Sequence, residues 1–88
     1  MKWEMQTWYI TIDGDIFKVL EVKDFEVSIL TKQNNKFVVS KYSKGRLDYI
    51  FSDGLGIANS YKFDNGTEEE NYKKVAKNVQ HDVYKSRR

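Results

Sequence analysis

The chain has no cysteine and no proline, a single histidine and only three arginines. Without cysteine there is neither a disulfide framework nor a thiolate metal site, so stability must come from packing alone. The same absence fits a reducing compartment, and the expectation is a cytoplasmic protein. With no proline to interrupt a backbone ladder, glycine and asparagine must supply the turns. One histidine, His81, excludes a multi-histidine metal site and leaves any Ser-His-Asp arrangement resting on a residue near the end of the chain. No apolar run approaches the roughly 20 residues of a membrane span or forms the core of a signal peptide, so no membrane partner is expected.

What is present points to a small packed domain. At 88 residues the chain can bury only about 60–65% of its unfolded surface, enough for one hydrophobic core, and a single domain spanning 1–88 is expected. Five Phe, six Tyr and two Trp carry that core, each able to bury on the order of 150–250 Å².

Net charge is only +2, too small to imply a nucleic-acid partner from bulk electrostatics, but its distribution is uneven. From Val27 to Leu47 there is no acid, while Lys32, Lys36, Lys41, Lys44 and Arg46 supply five positive charges. A second basic zone, Lys73 to Arg88, sets six against the lone Asp82.

Hydrophobic periodicity divides the chain into strands and one helix. Trp8, Ile10 and Ile12 alternate with Tyr9 and Thr11, giving a first strand over about 3–12 that stops at Asp13-Gly14. The next run, Ile16 to Val22, is apolar on both sides and is expected to be buried on both faces. Phe25, Val27 and Ile29 mark a third strand, Gln33-Asn34-Asn35 a reversal, and Phe37 to Tyr42 a fourth strand. Leu47, Tyr49 and Phe51 alternate with Asp48 and Ser52 as a fifth strand, and Ile57 to Phe63 forms a sixth after the Asp53–Gly56 turn.

The clearest local signal is Thr67-Glu68-Glu69-Glu70, a capping box with Thr67 as N-cap and Glu70 at the third helical position. Tyr72, Val75, Ala76, Val79 and Val83 then recur at helical spacing, so one amphipathic helix over about 68–85 is expected, with a frayed tail at 86–88. The fold class is α+β: an antiparallel meander of about six short strands within 3–63, as a curled sheet or small barrel, packed by that C-terminal helix.

No group of residues demands a chemistry. His81 falls on the polar side of the helix, where a solvated residue is the simpler reading. Asp13-Gly14-Asp15 and Asp53-Gly54 lack the spaced carboxylates of a calcium loop and read as turns. Gly54-Leu55-Gly56 lacks the third glycine and following helix of a phosphate loop. Glu68, Glu69 and Glu70 are accounted for as capping and dipole residues. No enzymatic activity, cofactor or metal is therefore expected.

Two binding readings remain. The first is a non-enzymatic protein-binding module that occupies a surface on a larger protein, such as a phage or mobile-element inhibitor of a host nuclease or defence factor. Trp3, Met5, Tyr42 and Tyr49 are its candidate contact residues, Trp3 foremost if it is exposed. The second is a nucleic-acid-binding module. It would use Lys36, Lys41, Lys44 and Arg46, interleaved with Phe37, Tyr42 and Tyr49 across an expected hairpin, together with Lys74, Lys77 and Lys85 on the basic helix face. Homodimerisation by edge pairing is compatible with either reading.

Overall fold

The computed structural model describes residues 1–86. They form an open five-stranded antiparallel sheet with helices on both faces. The strands are β1 (Thr7–Thr11), β2 (Ile16–Val22), β3 (Glu26–Gln33), β4 (Lys36–Ser43) and β5 (Ile57–Lys62), in the spatial order β4-β3-β2-β1-β5. The helices are α1 (Lys44–Ile50), α2 (Glu68–Ala76) and α3 (Val79–Ser86), and a 3-10 turn, Ser52–Gly54, follows α1.

The first four strands are a meander whose turns follow the sequence signals. Gly14 adopts φ 90 at the first reversal, where its amide donates to the Thr11 carbonyl over 3.0 Å. Asn34 and Asn35 both take left-handed φ, 52 and 63, which builds a two-residue hairpin loop whose twist matches the strands. From Gln33↔Lys36 back to Glu26↔Ser43, β3 and β4 then pair without a register shift.

After β4 the chain crosses the sheet to reach the far side of β1, and α1 is part of that crossing. Here the structure corrects the expected fifth strand. Leu47, Tyr49 and Phe51 satisfy a period of two, but Leu47, Ile50 and Phe51 equally satisfy helical spacing, and seven residues are too few for periodicity to decide. Capping decides: the Ser43 hydroxyl accepts from the Arg46 amide over 3.2 Å, and the Phe25 carbonyl accepts from the Lys44 amide over 3.0 Å. Leu47 is consequently buried, whereas Tyr49 is 85% exposed. Without that strand the sheet has five strands, not six, and with β4 and β5 as free edges it does not close into a barrel.

Each face of the sheet carries its own core. On one face Tyr9, Phe17, Val19, Val27 and Ile29 are covered by Trp3 and by Leu47 of α1. Tyr9 stacks on Phe17 and Phe17 on Phe51, with ring centroids 5.3 and 5.1 Å apart. On the other face Trp8, Ile10 and Leu30 lie under α2 and α3, which contribute Val75, Tyr72, Val79 and Val83. All five residues of β1 are buried, because the strand is central and covered on both sides. It is thus β1, rather than β2, that is buried along its whole length.

The first strand is shorter than its apolar pattern implies. Trp3 lies ahead of β1 and folds onto the first core, where its Nε1–H donates to Asp48 Oδ1 over 2.8 Å. That bond fastens the N-terminal segment to α1.

The C-terminal helix is also two helices. The capping box forms as expected, with Glu70 N–H on Thr67 Oγ1 at 3.1 Å and Thr67 N–H on Glu70 Oε1 at 3.0 Å. At Asn78 the side-chain amide donates to the Lys74 carbonyl over 3.2 Å, competing with the regular ladder, and the chain restarts as α3. Ala76, expected on the apolar stripe, is exposed. Ser86 is helical, and positions 87 and 88 of the expected frayed tail lie outside the described residues.

Two lysines, Lys18 buried and Lys32 half-buried, lock α2 to the sheet. Lys18 Nζ lies 2.7 Å from Glu68 Oε1 and Lys32 Nζ 2.8 Å from Glu69 Oε1, so two of the three capping glutamates also hold cations rising from β2 and β3. The Lys32 ammonium sits 4.9 Å from the Tyr72 ring centroid as well. Among the described residues no helix is long and apolar enough to cross a membrane.

Candidate functional site

The residues proposed for nucleic-acid contact do not converge. β4 is eight residues long, so Lys36 at its start and Lys44 and Arg46 beyond its end are separated by roughly 25 Å of strand. Alternation along β4 places Lys36 on the face covered by α1 and Lys41 on the face covered by α2 and α3. The aromatic platform is lost too: Phe37 packs edge-on to Tyr72 with centroids 5.9 Å apart, and Tyr42 packs against the first core. The hairpin expected to carry these groups does not exist, because its second strand is α1. Lys74 lies 5.4 Å over the Phe63 ring, Lys77 lies in the break between α2 and α3, and Lys85 lies on α3.

Of the protein-interface candidates, Trp3 is only 5% exposed and its indole N–H is occupied by Asp48, so no partner can reach it. Tyr42 is half-buried. Met5 and Tyr49 remain open to solvent. Tyr49 has company that sequence reasoning missed. Phe25 is 85% exposed at the β2–β3 turn and touches the first turn of α1 through its carbonyl; Ile50 is exposed at the end of α1, and Leu55 is 84% exposed just after the 3-10 turn. A period of two places Phe25 with Val27 and Ile29 in the third strand, whereas β3 begins at Glu26. The signal available was its position directly after Lys23-Asp24, inside the turn rather than beyond it.

Backbone geometry fixes this region. Ser52, Asp53 and Gly54 take three successive left-handed conformations. Gly56 is buried where a Cβ would lie 3.0 Å from the Phe51 carbonyl oxygen, tighter than side chains ordinarily pack, which favours glycine. The Gly56 carbonyl then accepts from the Ile12 amide over 2.9 Å, tying the end of the crossing segment to the end of β1. Tyr49, Ile50 and Leu55 are therefore displayed from a strap anchored at both ends.

A polar cleft of about 540 Å³ lies between β5 and α3. At its base Asp82 is buried, accepting from the Tyr61 hydroxyl at Oδ2 and lying 3.3 Å from His81 Nδ1 at Oδ1. Burial would raise the Asp82 carboxyl, but hydrogen bonds from Tyr61, His81 and Asn59 outweigh it and hold the group below its usual value. Burial first, and the bond to Asp82 second, push the Tyr61 hydroxyl up to about 12. Ser86, whose hydroxyl could act as a nucleophile in the cleft, donates instead to the Asp82 and Val83 carbonyls over 3.0 and 3.1 Å. The arrangement joins α3 to β5. Among the described residues no group of three or more histidine or acidic side chains is placed to hold a metal ion.

No protein-family model, curated protein or solved structure matches this chain.

Proposed function

We propose that this chain is a non-enzymatic protein-binding module that docks on a larger protein through the crossing segment, with Tyr49, Ile50, Leu55 and the adjoining Phe25 as its contact residues. One observation carries the reading. Most of the aromatic side chains are wholly or partly packed, yet Phe25 and Tyr49 stand 85% exposed at the two ends of α1. Large apolar groups held outward on an anchored strap lose little freedom on binding, which is the property of interface anchors. Arg46, exposed on the same short helix, adds a cation to the rim. Blocking a host nuclease or defence factor is one form that docking by so small a chain would take.

The test compares capture from a lysate of the source cells by the wild-type chain and by a Phe25→Ser/Tyr49→Ser variant, each checked for an unchanged melting curve. The reading expects a discrete protein retained by the wild type and lost by the variant. Nucleic-acid binding that falls steeply with salt, weakens on charge reversal of Lys41 and Arg46 and ignores the double substitution would overturn it.

A further inference from the structure

The two edges of the sheet are built differently. β5 has six residues, its pairing with β1 shifts register between Ile10 and Thr11, and its exposed positions are Asn59, Ser60 and Lys62. Short length, a bulge and polar side chains are the features by which sheets blunt an edge. β4 has eight residues, an unshifted register and valines exposed on both faces, Val38 at 37% and Val39 at 56%.

The backbone of β4 is equally available. Because the Asn34-Asn35 loop has two residues, Gln33 and Lys36 are its closing hydrogen-bonded pair. Alternation then directs the N–H and C=O groups of Phe37, Val39 and Lys41 away from β3, along the outer edge.

We propose that two copies of this chain pair β4 against β4, antiparallel, about a twofold axis through Val39, making one continuous ten-stranded sheet. The side chains fit this register. Val39 meets its own copy on the α2–α3 face, where Phe37 falls opposite Lys41. On the α1 face Lys36 falls opposite Tyr42 and Val38 opposite Ser40. Neither lysine of the strand opposes a lysine; each meets an aromatic ring, the favourable partner for an ammonium group. A register two residues further along sets Lys36 against Lys44, a like-charge pair. Moving it two residues the other way draws Asn35, held at φ 63, into the ladder. Centred on Val39, the pairing makes about six backbone hydrogen bonds, two for each narrow pair. It uses neither Tyr49 nor Leu55 as a pairing residue, so it does not rest on the docking surface proposed above.

The absence of cysteine makes the register directly testable. Val39→Cys places one thiol beside its own copy at a Cα separation of about 5.5 Å, within disulfide range, whereas Val38→Cys faces Ser40. Under mild oxidation Val39→Cys is expected to convert to a cross-linked dimer and Val38→Cys to remain largely free of the cross-link. Sedimentation equilibrium of the wild type should give a mass rising from monomer to dimer with concentration. Val39→Pro, which removes an outward N–H that β3 does not use, should hold the chain at monomer mass with its circular dichroism preserved. A wild-type monomer throughout the micromolar to millimolar range, or equal cross-linking of the two cysteine variants, would overturn the proposal.

Discussion

Leu47 and Tyr49 separate the helical crossing from the strand that their spacing suggests. A strand puts both side chains on one face, so truncating either would cost similar stability. In α1 Leu47 is 1% exposed against Tyr9, Phe17 and their neighbours, while Tyr49 is 85% exposed. Leu47→Ala should therefore cost about 2–5 kcal/mol, the range for a buried leucine whose cavity only partly collapses. Tyr49→Ala should stay within about 0.5 kcal/mol. With a urea dependence near 1 kcal/mol per molar, as expected for a chain this small, the first substitution lowers the unfolding midpoint by about 2 M or more. The second moves it by about half a molar at most. Domains of this size are stable by only about 5–10 kcal/mol, so Leu47→Val, costing about 1 kcal/mol, serves should the alanine variant fail to fold. Equal losses at positions 47 and 49 would refute the helical assignment and, with it, the display of Tyr49.

Further expectations follow from the polar contacts. Glu68→Gln leaves the Lys18 ammonium, 7% exposed, without its ionic partner and should cost about 1–2 kcal/mol in chemical denaturation; Lys18→Met, which removes the buried charge itself, should cost less. Tyr61→Phe deprives buried Asp82 of a donor, so it should destabilise by about 1–3 kcal/mol and raise the Asp82 carboxyl toward its ordinary value, followed by NMR titration. Glu69, Glu70 and Asp82 are all held below their ordinary values, the first by Lys32, the second by the Thr67 amide and the third by its donors against burial. Their contribution is fully present above the ordinary carboxylate values and is lost as pH falls through the folded ones, so melting temperature should decline progressively below about pH 4.5. Tyr61 acts in the opposite direction: its contribution is whole below pH 10 and lost as pH rises from 10 toward about 12, which melts in that window should register. Asn35→Gly should stabilise by a few tenths of a kcal/mol to about 1, since glycine accepts left-handed φ without strain, and should raise the melting temperature.

The meander was legible in the sequence because its turns are local. Asp13-Gly14 and Asn34-Asn35 needed left-handed φ and carried residues that tolerate it, and the strand that each flanks alternates cleanly. The capping box at Thr67 was legible for the same reason, since every group in it lies within four residues. Where a segment's fate depends on distant partners, local pattern failed. Leu47–Phe51 fits either period, and what makes it a helix includes the Phe25 carbonyl, nineteen positions before the Lys44 amide it accepts from. The break at Asn78 was hidden because Val75, Val79 and Val83 keep their spacing across it. Trp3 is an interface candidate by its type and its place ahead of the first alternation, but it is buried by packing on Phe17 and Phe51 and by its bond to Asp48, far along the chain. The exposed set at Phe25, Tyr49 and Leu55 follows from that same crossing, so it could not be read before the crossing was known.

The position of β1 carries a consequence for how the molecule is made. Of the five strands this one precedes the others in the chain, yet it ends in the interior of the sheet, and its second neighbour, β5, lies about fifty positions later, with Thr7 paired to Lys62. Until the crossing segment and β5 have left the ribosome, a nascent chain can assemble β1 to β4 as successive hairpins while one flank of β1 stays unpaired. The Trp8, Ile10 and Leu30 core likewise waits for α2 and α3, which follow all five strands in the chain. Folding is thus paced by its longest-range pairing rather than by its hairpins. The interval before β5 arrives is when this chain is most exposed to pairing with the wrong strand.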